Sequence, residues 1–141
     1  MSDHLTTKEI RDMAKVLDRR EMGDYIFIAT GKRMTTSEFD ALMRRFLPKE
    51  SALQSDIIQW LKKAYPGAFV WKAAAGPYSR QGIPDVCMVL DGYFYGFEIK
   101  RPYIGAPSKI QLATIDAIRQ AGGVAAIISY PEQAREVIED G

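Results

Sequence analysis

Residues 82–100 read Gly82-Ile83-Pro84-Asp85-Val86-Cys87-Met88-Val89-Leu90-Asp91-Gly92-Tyr93-Phe94-Tyr95-Gly96-Phe97-Glu98-Ile99-Lys100. Residues 86–90 and 93–97 are rich in strand-favouring side chains. An Asp-Gly pair between two such runs is the strongest short-range signal for a hairpin closed by a two-residue turn. With Leu90 opposite Tyr93, counting back along both strands puts Asp85 opposite Glu98. Cross-strand partners share a face, with Cβ atoms roughly 4.5–5.5 Å apart. Lys100 shares that face too, because side chains alternate along a strand.

Two ionised carboxylates at about 5 Å repel by roughly 3 kcal/mol at an effective dielectric of about 20. Either one takes up a proton or a cation sits between them. Hard oxygen donors in a partly open cluster suit Mg²⁺ or Mn²⁺, which keep several waters and accept phosphate oxygens. An ammonium beside such an ion orients a water or neutralises charge on phosphorus, which is the chemistry of phosphodiester hydrolysis. The bland reading is an ordinary hairpin with a surface Glu-x-Lys. Opposed carboxylates are poor structural choices, so the site reading is preferred.

Pro84-Asp85 and Glu98-Ile99-Lys100 closely resemble the PD-(D/E)XK nuclease signature. With Gly82, the short linking hairpin and Gln111, they resemble the virus-type replication-repair (VRR-NUC) branch of that superfamily over residues 48–137. The resemblance implies a restriction-endonuclease-like α/β core in which a mixed sheet is flanked by helices. It also implies Asp85, Glu98, Lys100 and Gln111 as catalytic residues. Asp85, Glu98, the Ile99 backbone carbonyl and Glu50 on the first core helix would be the metal ligands. Mg²⁺ or Mn²⁺ would be the cofactor and DNA the partner, branched DNA such as four-way junctions in particular. Stand-alone members of the branch imply a homodimer.

Composition bounds the rest. The chain has 141 residues and a formal net charge of +1, with one histidine (His4) and one cysteine (Cys87). That length fits a main domain with an extension. A lone cysteine excludes an internal disulfide and suits a reducing compartment. No apolar run approaches a membrane span, and the first residues lack a signal-peptide pattern. The expectation is a soluble, intracellular protein. The only histidine, His4, falls in a terminal stretch expected to fray, so Ser-His-Asp hydrolysis and Cys/His zinc sites fall away, and no Gly-rich phosphate loop supports a nucleotide cofactor. Near-neutral charge counts mildly against nucleic acid, so cations must be local. Lys72, Arg80 and Arg101 are the candidate DNA contacts, with a solvated loop arginine as the rival reading of Arg80.

Along the chain, Thr6-Thr7-Lys8-Glu9 predicts a capped helix ending at Gly23, and residues 24–30 predict a strand. Thr35 to Glu38 opens a second helix, completing a small α/β extension over residues 1–47. Its expected role is docking or dimerisation. From Pro48 the order is helix, three strands, helix, strand, helix over residues 48–141, with Leu53, Ile57, Trp60 and Leu61 as the first core stripe. Glu50 and Gln111 each have a second reading, as a helix N-terminal acid and as a capping-box partner of Ser108. Two rival functions remain: a restriction-type enzyme with sequence preference on linear duplexes, and a non-catalytic DNA-binding module of the same fold.

Overall fold

The computed structural model describes residues 5–74, 76–78 and 80–140; His4, named in the sequence reading, lies outside them. The chain divides into two compact units, Met1–Lys49 with Arg101–Gly105, and Glu50–Lys100 with Ala106–Gly141.

The first unit is helical: α1 (Thr7–Ala14), α2 (Arg19–Thr30) and α3 (Thr36–Phe46). Each opens with a capping box, Thr6 with Glu9, Asp18 with Glu21, and Thr35 with Glu38. The expected strand over residues 24–30 is the second half of α2, so the α/β extension is corrected to an all-α one. The β-branched residues Ile26, Ile28 and Thr30 misled the local reading. Tertiary packing overrides that preference: Met22 and Ile26 lie four apart on one face and are both buried. The first helix ends at Ala14, and Gly23 sits inside α2. Gly31, at φ 73°, supplies the left-handed residue that ends α2. Ile10, Met22, Ile26, Phe39, Met43 and Leu47 form the core, with Tyr103 and Ile104 packed on it. Arg101 Nη2 donates to the carbonyls of Met43, Arg44 and Leu47, closing the end of α3 with a cation where the helix dipole is negative.

The second unit runs α4 (Glu50–Ala64), β1 (Phe69–Lys72), β2 (Val86–Leu90), β3 (Tyr93–Ile99), α5 (Lys109–Gln120), β4 (Val124–Ile128) and α6 (Pro131–Asp140). The helix expected from Pro48 begins at Glu50. The sheet order is β1-β2-β3-β4. β1/β2 and β2/β3 are antiparallel, and β3/β4 is parallel, reached through the α5 crossover. Mixed pairing with helices on both faces gives the α/β architecture expected. Asp91 and Gly92, at φ 53° and 82°, close the β2/β3 hairpin with both central residues at positive φ. Leu90 pairs with Tyr93 and Val86 with Phe97, the expected register.

Alternation along β3 divides its side chains between two faces. Tyr95, Phe97 and Ile99 join Leu53, Ile57 and Leu61 of α4 and Ala134 of α6 in the main core. Phe94, Gly96 and Glu98 face the other way, toward the side covered by α5, where Phe94 and Ile118 both lie beside Gly123. Among the described residues no helix is long and apolar enough to cross a membrane.

Candidate active site

Asp85 precedes β2 by one residue, and continuing the register from Val86–Phe97 sets it across from Glu98. Two glycines allow its loop to lie so close to the sheet. At Gly82, φ 83°, an added Cβ would stand 2.5 Å from Ile110 Cγ2 and 2.9 Å from the Ile110 carbonyl, so only glycine passes under α5 there. At Gly96, a Cβ would meet Pro84 Cγ at 2.8 Å, so the buried proline ring rests on bare backbone. Asp85 Oδ2 then accepts the Ile99 N–H at 2.9 Å. The next residue, Lys100, sends its N–H to Ile128 on β4. Because N–H and C=O of one strand residue project to the same edge, the Ile99 carbonyl points to the Asp85 side.

Glu98 is 1% exposed. Its Oε2 accepts from Gln111 Nε2 at 2.8 Å and lies 3.5 Å from Lys100 Nζ. Its Oε1 is buried with no hydrogen-bond partner. Burial first, then the adjacent Asp85 carboxylate, push the Glu98 carboxyl up from 4.5 to about 7, with Lys100 pulling the other way. Such an atom calls for a proton or a cation. An all-oxygen set of Asp85, Glu98 and the Ile99 carbonyl fits Mg²⁺ or Mn²⁺.

Among the described residues no group of three or more His, Cys, Asp or Glu gathers as a metal site. Glu50 opens α4, which packs on the Phe97 and Ile99 face, while Glu98 projects toward α5. Lys72 does not join Glu98. It pairs with Val86 on the α4 side and lines a groove of about 280 Å³ with Gln54 and Gln59. Arg101 is committed to the end of α3. Arg80 is the candidate cation that meets the site: with Gln81, Gly82 and Asp85 it lines an open cavity of about 250 Å³. Cys87 is buried and its thiol is pushed up to about 11, chiefly by burial, so it is no nucleophile at neutral pH.

Gln111 takes part in two contacts. It is the capping-box partner of Ser108 and the donor to Glu98. Gly82 and Gly96 are the positioning residues whose need the sequence hid. Gly82 follows Arg80 and Gln81 in an apparent loop, and its close neighbour Ile110 is far away in sequence.

No protein-family model matches the chain, and no curated protein matches it. A solved structure titled "VRR_NUC domain" is similar to it, at 24% identity and a TM-score of 0.49, covering 64% of this chain and 94% of that one.

Proposed function

We propose that the protein is a metal-dependent endonuclease that hydrolyses phosphodiester bonds in DNA. The observation that carries the reading is the buried, unpartnered Glu98 Oε1 beside Asp85, with Lys100 and Gln111 converging on the same carboxylate. A Mg²⁺ or Mn²⁺ ion held by Asp85, Glu98 and the Ile99 carbonyl would supply the positive charge that lowers the pKa of a water and draws in a phosphate. Gln111 fixes the rotamer of Glu98. Lys100, 16% exposed at its side chain, is sheltered enough for its charge to count against the phosphate or an attacking water. Arg80, at the cavity wall, takes a neighbouring phosphate.

The resemblance of Pro84-Asp85, Glu98-Ile99-Lys100 and Gln111 to the VRR-NUC signature supports branched DNA, four-way junctions included, as the substrate, and a two-fold dimer suits cutting two symmetric strands. The test is incubation of labelled junction, flap and linear duplex DNA with Mg²⁺, Mn²⁺ or chelator. Metal-dependent cutting that Glu98→Ala loses is the expected result. A wild-type protein inert on all three substrates with either metal sinks the reading.

A further inference from the structure

Among the described residues, the sheet face that carries Asp85 and Glu98 is uncovered along β1. α5 packs over β3 and β4, leaving Phe69 69% and Trp71 36% exposed. Their ring centroids lie 5.4 Å apart, and Trp71 lies 6.3 Å from Phe94. The register ties this row of rings to the site. Ala73 bonds across to Asp85, which faces Glu98. Trp71, Cys87 and Gly96 form the next row on the same face, and Phe69, Val89 and Phe94 the one after. Two residues of strand span about 6.8 Å, so Trp71 stands one step from the Asp85 row and Phe69 two.

We infer that Trp71 and Phe69 form a stacking platform for unpaired nucleobases of the strand whose phosphate lies at Asp85 and Glu98. The inference rests on the reading of that pair as the cleavage site. Aromatic rings left this open on an edge strand mark a contact surface. What lies beside them selects the contact. Arg80 and Lys100 offer positive charge at the site end of the row, and the rings offer π faces at the other. A single strand matches both, phosphate at the cations and successive bases on the rings, whatever its sequence. A protein partner seated on Trp71 would crowd the approach a phosphodiester needs, one step away. A fully paired duplex keeps its base faces stacked internally and has none to offer. The substrate class is therefore DNA with an unpaired stretch next to the cut, such as a flap, a gap or an opened branch.

The test uses the full chain in chelator, so that binding is read without cleavage. Affinities for a short oligothymidylate and for a blunt duplex of equal length are compared among wild type, Trp71→Leu, Phe69→Leu and Trp71→Phe. Leucine keeps apolar area and removes the ring. Each leucine variant should bind the single strand at least about fivefold more weakly, with duplex affinity unchanged. Trp71→Phe should bind like wild type. Wild-type tryptophan fluorescence should be quenched by the oligothymidylate, and Trp71→Leu, which keeps Trp60, should lose that quenching. Unchanged single-strand affinity in both leucine variants overturns the platform. So does sedimentation in which they lose a dimer that wild type forms, because the rings would then face a second copy. Cleavage by wild type with Mg²⁺ or Mn²⁺ is scored separately. Absent cleavage with ring-dependent binding sinks the nuclease reading alone, and normal cleavage with ring-independent binding sinks the platform alone.

Discussion

Gln111 divides its amide between the helix it begins and the carboxylate it faces. Oε1 accepts the Ser108 N–H at 2.8 Å, and Nε2 donates to Glu98 Oε2 at 2.8 Å. A glutamate would serve the capping box equally well but has no hydrogen to give Glu98. The choice of amide over acid at this helix end thus reflects the site. Gln111→Glu sets a second carboxylate against the buried Glu98, so in chelator at neutral pH it should lower the melting temperature, and it should lower cleavage about 10–100-fold, the usual cost of losing a group that orients a ligand. Melting and cleavage measured together decide it. Equal activity in both proteins would make the Glu98 contact idle.

Glu98→Ala should abolish cleavage while the protein still folds and binds DNA in chelator. Metal ligands serve the chemical step, whereas phosphate contacts serve affinity. Retained turnover in this variant would remove the assigned site.

Asp85 separates charge from hydrogen bonding. Asp85→Asn keeps an acceptor for the Ile99 N–H and removes a repelling charge, so in chelator it should melt no lower than wild type. Asp85→Ala leaves that N–H without its acceptor and should cost about 1–3 kcal/mol. Mg²⁺ should raise the wild-type melting temperature, by about 2.7 kcal/mol of stabilisation at a hundred times its dissociation constant, and raise that of either variant less. Calorimetry with and without metal checks all three statements.

Metal-free protein should become less stable as pH rises. The Glu98 carboxyl, raised from 4.5 to about 7, holds a proton in the folded state that the unfolded chain has already released. Its contribution is full below about pH 4.5 and is lost as pH climbs through about 7. Thermal melts in chelator across that window should show a fall in wild type that Glu98→Gln flattens. Matching slopes in the two proteins would place the proton elsewhere.

Gly82→Ala should destabilise by roughly 1–3 kcal/mol, because it combines a positive φ with a Cβ pressed on Ile110 and Thr114. It should also depress cleavage, since the loop it displaces ends at Asp85. Melting and cleavage that both match wild type would mean the loop yields freely.

What could be read in advance is what local chemistry sets alone. Asp91-Gly92 dictates the hairpin turn and through it the facing of Asp85 and Glu98, while Thr6, Thr35 and Ser108 announce their helices by capping boxes. Residues 24–30 misled because strand-favouring side chains compete there with a helix already begun at Asp18, whose own box with Glu21 was legible and outweighs them. The sorting of candidate cations depends on which face of the sheet each meets. Strand parity places Lys72 on the face opposite Asp85, and Arg101 is drawn to carbonyls at the end of α3 more than fifty residues earlier in the chain. The needs of Gly82 and Gly96 arise from contacts with α5 and Pro84, which no window of sequence contains.

The participation of Arg101, Tyr103 and Ile104 in the helical unit has a consequence for the order of synthesis. Helices α1 to α3 leave the ribosome before the sheet, yet the residues that close the end of α3 and complete their core follow only after β3. The N-terminal unit must wait in an unfinished state while most of the sheet is being made, against the usual sequence in which an N-terminal unit folds first. A chain arrested after residue 49 would lack Arg101 and the Tyr103 hydroxyl that donates to Leu17 O at 2.6 Å. A fragment of residues 1–49 would therefore carry the three helices without the contacts that close α3 and cover their core.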